Sequence, residues 1–274
     1  LSGLKVVELS DHVAGSFCAR LMGDAGADVV KVEPPNGDRY RRSGPYPGGS
    51  PDPEWSGLFL YLNSNKRGVS LDIESLGGRT GLLDLVTAAD FLVVGDNSLE
   101  IERLGLRRER LAKTNQGLIV TSITPFGLTG PASSYLGDDL IAISAGGMAY
   151  ATPGIPDMVR DPDLEPPLRS NTNMAGYLAG VQGAVASVAA LLSREIRGIG
   201  CEIDLSIQEA VAAVMPFELA HASYHEPKAR RPEIFGVMPN TYLPCRDGYV
   251  VIMAVMDSHW RNLMDLADNP DWAE

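Results

Sequence analysis

The chain has 274 residues, 45% of them apolar and 21% charged, and a net charge of −12 from 23 basic and 35 acidic residues. That length is enough for a sizeable core, and the acidic balance argues against a general nucleic-acid binder, which needs a basic face for phosphates. Cys18, Cys201 and Cys245 are too few and too far apart for a disulfide framework or a zinc site, no run of about 18 apolar residues marks a membrane span, and no basic-then-apolar leader precedes the first strand pattern, so a cytoplasmic protein without membrane or metal is expected.

Leu4 to Leu9 reads as a short apolar strand. A loop from Ser10 to Ser16 leads to a helix that includes Phe17 to Gly23, and Val29 to Glu33 reads as a second strand. This is a βαβ unit, the signature of a parallel sheet. It ends in an acidic residue, as a dinucleotide-binding unit would. Its first turn, however, holds only Gly15 and no GxGxxG, and the chain has no GxxxxGK[ST], so neither phosphate-binding loop is present. Pro34 to Gly37 is a turn, and Ser43 to Pro53 a long loop rich in Pro and Gly. Gly68 to Ile73 is the next strand and Gly77 to Ala88 the next helix. Phe91 to Val94 and Leu118 to Ile123 continue the alternation. The expected class is α/β, with a Rossmann-like doubly wound parallel sheet.

Asp138 to Ala151 is small and apolar. Thr152 to Pro167, rich in Pro and Asp, reads as a surface loop. Met174 to Arg194 is a long helix of Ala, Gly and Val, suited to close packing. Cys201 to Ser206 is a strand and Ile207 to His221 a helix. Ala222 to Pro239 reads as a crossover. Tyr242 to Met253 is a hairpin about Arg246-Asp247-Gly248, and Ser258 to Ala267 an amphipathic helix. The expected division is a large domain over 1–221 and a linker with the beginning of a small α+β domain over 222–274. A hairpin and one helix make a thin domain, so the chain reads as a fragment or as leaning on a partner.

The basic residues cluster: Arg39, Arg41 and Arg42; Lys66 and Arg67; Arg103, Arg107, Arg108 and Arg110. They are either solvated surface charge or local sites for a polyanionic small molecule, and CoA with its three phosphates fits the second reading. His221, His225 and His259 show no metal spacing.

Five segments, in order, carry a resemblance. They are Gly26-Ala-Asp-Val-Val-Lys-Val-Glu-Pro-Pro-Asn-Gly-Asp38, Leu62-Asn-Ser-Asn-Lys-Arg-Gly-Val-Ser-Leu-Asp72, Ala89-Asp-Phe-Leu-Val-Val with Arg103-Leu-Gly-Leu, Thr121-Ser-Ile-Thr-Pro-Phe-Gly-Leu-Thr-Gly-Pro131, and Arg194-Glu-Ile-Arg-Gly-Ile-Gly with Ile203-Asp-Leu-Ser. Together they resemble the class III CoA-transferase family over nearly the whole chain. The resemblance implies a large Rossmann-like domain, a small domain, and two subunits interlocked like chain links. It also implies CoA thioester and carboxylic acid as substrates, with no covalently bound cofactor. CoA would lie along the carboxyl ends of the strands. His12 and Val13, Arg41, Lys66 and Arg67, and Arg103 and Leu104 match positions that contact it.

The resemblance also exposes a departure. In Gly176-Tyr-Leu-Ala-Gly180 the first position is where the family carries its nucleophilic aspartate. That aspartate attacks the acyl-CoA carbonyl and then carries CoA as a thioester, or in the racemase branch moves the proton beside the carbonyl. Glycine does neither, and no Asp or Glu lies between Glu165 and Glu195. Val13 replaces a glutamine, and Asp96-Asn-Ser-Leu-Glu replaces the Asn-Phe-Arg-Pro-Gly-like stretch. The glycine-rich lid has no counterpart in Arg230 to Tyr242. Asp139 aligns with an acidic family residue near the reaction centre. Asp138-Asp139 is either a carboxylate pair or the start of the helix near Leu140. Two functions remain open. One is a non-catalytic subunit whose aspartate comes from a paralogous partner in a heterodimer or heterotetramer, a plan resembling the benzylsuccinate CoA-transferases. The other is a stand-alone or homodimeric acyl-CoA binding protein, or an enzyme with chemistry at Asp138 and Asp139.

Overall fold

The computed structural model describes residues 1–152, 164, 166, 168, 170–216, 220, 223–224 and 240–271. It divides into two compact units, Leu1–Gly146 with Arg169–Val214, and Gly147–Leu168 with Met215–Glu274. Each unit is thus built from two stretches of chain.

The first unit is built on β1 (Lys5–Ser10), β2 (Asp28–Glu33), β3 (Lys66–Ser70), β4 (Phe91–Gly95), β5 (Ile119–Thr124) and β6 (Glu202–Ser206). They form one sheet in the order β3-β2-β1-β4-β5-β6, and every pairing is parallel. This is the doubly wound arrangement, with its switch point between β1 and β4. β4 and β5 are central and wholly buried, which explains their unbroken apolar and small composition. β3 is an edge and mostly exposed, and it opens on the charged pair Lys66-Arg67.

The helices are α1 (Val13–Asp24), α2 (Gly57–Asn63), α3 (Leu76–Thr87), α4 (Ser98–Leu104), α5 (Arg108–Leu111), α6 (Asp139–Ala145), α8 (Met174–Arg197) and α9 (Ile207–Ala212), with α7 (Met148–Ala151) in the second unit. α1 begins four residues earlier than the sequence pattern indicated. The Ser10 hydroxyl accepts from the His12 amide at 3.1 Å, which turns the chain into the helix at once. Gly15 then meets the strand end closely: a Cβ there would lie 2.4 Å from Ser10 Oγ. The lone glycine of this turn serves helix–strand packing. α2 and α4 were not read from the sequence. Both carry ordinary start signals, Ser56 accepting from Phe59 N and Asn97 accepting from Glu100 N, and α4 closes on left-handed Gly105.

α8 packs lengthwise against α1 through Gly176, Ala179, Gly180 and Gly183. Its other face exposes Val181, Val185, Val188, Leu192 and Ile196. By length and composition it is apolar enough to cross a membrane, with a mean hydropathy of 1.6 over its best window. A search for unbroken apolar runs missed this because glycine, serine and glutamine interrupt it. The helix's own small-residue face is committed to α1 and the sheet.

In the second unit, β7 (Asn240–Cys245) and β8 (Gly248–Met253) form the expected antiparallel hairpin, with Cys245 opposite Gly248 across the Arg246-Asp247 turn. α10 (Asp257–Leu266) follows. His221, His225 and nearly all of Arg230 to Tyr242 lie outside the described residues.

Candidate functional site

A cavity of about 150 Å³ opens at the switch point, between the carboxyl ends of β1, β2 and β4. Leu9, Val94, Leu71, Ile73, Ile101 and Leu104 make it apolar, and Asp11, Glu33, Asp96 and Glu100 line it as well. Burial pushes the Asp96 carboxyl above its usual range, with Asp11 and Glu100 adding to the effect against the Asn97 amide. Arg41 lies at this margin with its fork on Glu33, Nε at 2.7 Å and Nη2 at 3.0 Å, and with Nη1 on Glu54 at 3.1 Å. Its guanidinium also stacks 3.9 Å from the Phe59 ring centroid. Burial works against ionisation of Glu33, yet Arg41 and the Asp38 amide hold its carboxyl below the usual range. Arg103 is held by Glu74 and Glu100 beside Leu104.

The Asn-Lys-Arg motif divides. Lys66 turns inward, its side chain 2% exposed, and donates to Glu8 at 2.6 Å, Ser16 O at 2.7 Å and Asn63 at 2.8 Å. Glu8 also accepts from Lys31 at 2.8 Å, and Lys31 reaches Asp38 at 2.8 Å. Desolvation raises the Glu8 pKa, but the two ammonium groups outweigh it and hold the carboxyl below its usual range. Burial works against the Lys31 charge, yet Glu8 and Asp38 hold its pKa up at about 12. Lys66 falls below its usual value through burial, with Glu8 opposing. Arg67 stands at the amino end of its strand, 68% exposed, in a bidentate pair with Asp28 at 2.9 and 2.6 Å. The structure therefore does not bring Lys66, Arg67 and Arg41 together around one space.

A second cavity, of about 100 Å³, brings together His12 and Val13 of the first turn, Arg39 and Tyr40, Asp138 and Asp139, and Gly176. Gly176 sits in the first turn of α8, and a Cβ there would lie 2.9 Å from Val13 Cβ and 3.0 Å from Val13 Cγ1. Those distances are inside van der Waals contact, so Val13 crowds the position that a Cβ at 176 would take. The His12 side chain is 16% exposed. Burial lowers its pKa, Asp11 opposes this, and Arg39 adds to the lowering, which together disfavour the charged imidazolium. Asp138 caps α6 by accepting from the Ile141 amide at 3.1 Å. Asp139 accepts from the Ala175 amide at 2.8 Å, which fastens its carboxylate to the start of α8. Arg39 and Tyr40, joined by a 3.0 Å hydrogen bond, were not singled out from the sequence. Only membership of a basic cluster marked Arg39, and nothing marked Tyr40.

The model of CoA-transferase family III matches residues 1–274. The chain belongs to CoA-transferase family III. Among curated relatives, it is 36% identical over 256 residues to the succinyl-CoA:(R)-benzylsuccinate CoA-transferase subunit BbsE of Thauera aromatica, covering 93% of this chain and 60% of that one. It is 30% identical to the succinyl-CoA:mesaconate CoA-transferase of Haloarcula hispanica, covering all of this chain and 68% of that one. Among solved structures it matches a CAIB/BAIF family protein from Brucella suis with a TM-score of 0.79 at 29% identity, over 98% of this chain and 69% of that one. It also matches Rv3272 of Mycobacterium tuberculosis with a TM-score of 0.83 at 27% identity, over 100% and 70%. The parallel sheet with flanking helices is thus the architecture of family III CoA-transferases. The chain spans 60% of the length of the benzylsuccinate relative.

Proposed function

We propose that this chain is a non-catalytic subunit of a CoA-transferase that moves CoA between an acyl-CoA and a carboxylic acid, and that a paralogous chain supplies the nucleophilic aspartate. The reading rests on Gly176, which the resemblance puts at the family's aspartate position, and is supported by its close packing, since a Cβ there would lie 2.9 Å from Val13 Cβ. The subunit designations of two relatives support it, the benzylsuccinate subunit BbsE and a succinyl-CoA–L-malate CoA-transferase beta subunit. In the partner, the aspartate would displace CoA thiolate from the thioester to form an anhydride. The thiolate would then attack the aspartyl carbonyl, releasing the first acid; the incoming carboxylate would displace CoA thiolate from that aspartyl thioester to form a second anhydride, and the thiolate would attack its acyl carbonyl, giving the new acyl-CoA and free aspartate. This chain would supply the fold and the interface of that assembly. CoA, where this chain touches it, would run along the carboxyl ends of the strands past His12, Val13 and Leu104, with Arg41 and Arg103 released from their carboxylates to meet phosphate.

Chemistry at Asp138 and Asp139 is the weaker reading, because both carboxylates already fasten helix starts. The two readings separate when the chain is purified alone and together with its paralogue and both are assayed for thioester exchange with succinyl-CoA and a panel of acids. Turnover only in the mixture, with an aspartyl-CoA adduct on the paralogue by mass spectrometry, is expected. Turnover by the chain alone, or an adduct on Asp139, would overturn the proposal.

A further inference from the structure

Tyr40 stands in the wall of the cavity beside Gly176, on the short helical turn Arg39–Arg42. Its backbone is fixed from both sides. The amide donates to Asp38 at 2.7 Å, and the carbonyl accepts from the Ser56 hydroxyl at 2.6 Å. Asp38 is itself paired with buried Lys31, so the residue is anchored to the Glu8 network. The phenol oxygen accepts from Arg39 Nη2 at 3.0 Å and from the Val13 amide. That places the hydroxyl at the start of α1, where Val13 and Ala14 also line the cavity. Burial raises the phenol pKa, and Arg39 and Val13 oppose this without bringing it below the ordinary value, so the proton stays on at neutral pH. With two N–H groups directed at its oxygen, the hydroxyl has its own proton left to give. No acceptor among the described residues takes it. A guanidinium donating to the same oxygen polarises the O–H and makes it a stronger donor.

The cavity limits what the acceptor can be. At about 100 Å³ it has room for the acyl end of a thioester and none for a nucleotide. Asp138 and Asp139 share its walls with Arg39, and the charged form of His12 is disfavoured. An anion would meet two carboxylates, whereas an uncharged carbonyl oxygen avoids that repulsion. We propose, on the reading that CoA runs past His12 and Val13, that Tyr40 donates a hydrogen bond to the thioester carbonyl oxygen of the acyl-CoA. The cavity then distinguishes acyl-CoA from free CoA, and Tyr40 orients the carbonyl.

Tyr40→Phe removes the hydroxyl and keeps the ring. Calorimetry on the purified chain would compare two unreactive ligands. One is the ketone in which a methylene replaces the sulfur of acetyl-CoA, and the other is S-ethyl-CoA, which has no carbonyl. A neutral hydrogen bond corresponds to about three- to tenfold in affinity, so the ketone should bind more tightly than S-ethyl-CoA by that factor. Tyr40→Phe should erase the margin and leave S-ethyl-CoA unchanged, which a merely structural role would not do. The carbonyl stretch of the bound, carbon-13-labelled ketone should lie at lower frequency in the natural chain than in Tyr40→Phe. Equal binding of the two ligands by the natural chain, an equal loss of both in the variant, or an unshifted carbonyl band would overturn the role of Tyr40 while leaving CoA in place. Failure of both ligands to bind would overturn the placement of CoA as well.

Discussion

Gly176→Ala probes the contact between α1 and α8 with a single methyl group. That methyl would lie 2.9 and 3.0 Å from two Val13 carbons and 3.4 Å from the Ala14 amide nitrogen. Carbon pairs are comfortable at about 3.5–4.0 Å, so α1 or α8 must move by several tenths of an ångström. Overpacking of this kind costs about 1–3 kcal/mol, against about 0.5–1 kcal/mol that alanine gains over glycine within a helix. The single variant should therefore lose about 1 kcal/mol. Val13→Ala, at a position 4% exposed, removes two carbons from the core and should lose about 2 kcal/mol. In the double variant the new methyl fills the space that valine vacates. Its loss should be smaller than the sum of the singles by about 1–2 kcal/mol, a coupling that contacting residues show and distant ones do not. Urea unfolding of the four proteins measures the cycle directly. Additivity within about 0.5 kcal/mol would refute the claim that Val13 crowds the position that a Cβ at 176 would take. The same reasoning sets the order for restoring a carboxylate: Gly176→Asp should be tolerated in the Val13→Ala background and strongly destabilising alone.

Glu8→Gln leaves the ammonium groups of Lys31 and Lys66 without their shared carboxylate in a fully buried position, so a loss of about 3–5 kcal/mol in urea unfolding is expected; a loss below about 1 kcal/mol would contradict the ion network. The burial of His12 gives a pH signature. Its pKa in the fold lies below the ordinary 6.5, so on acidification the unfolded chain takes the proton first and the folded chain loses stability as pH falls through 6.5 towards the lower folded value. Above about pH 7 the group is neutral in both states and contributes nothing. His12→Gln should flatten the fall in urea midpoint between about pH 7 and pH 5, and superimposable profiles for the two proteins would exclude His12 as its source.

Secondary structure was most legible where a residue's burial depends on near neighbours in the chain. Apolar runs located β1, β2, β4 and β5, and the Arg246-Asp247-Gly248 turn located the β7–β8 hairpin. The start of α1 and the short helices α2 and α4 were less legible. Their capping residues, Ser56 and Asn97, are also common loop residues, and only the side-chain bond to the backbone distinguishes the two uses.

The proposal that Gly176 stands where the family carries its aspartate rests on the sequence, because position within a resembling motif needs no coordinates. So does the family, since ordered motifs from Gly26 to Ser206 carry it. The fate of each charge belongs to the tertiary structure. Glu8, Lys31 and Lys66 come from three neighbouring strands, and only the parallel register of β1, β2 and β3 closes them into one buried network. Lys66 and Arg67 are adjacent in the chain yet face a buried carboxylate and solvent respectively, because successive residues of a strand point to opposite faces. Val13 acquires its meaning in the same way. Nothing local links it to Gly176; the packing of α1 on α8 makes an ordinary valine the residue that a Cβ at position 176 would meet first.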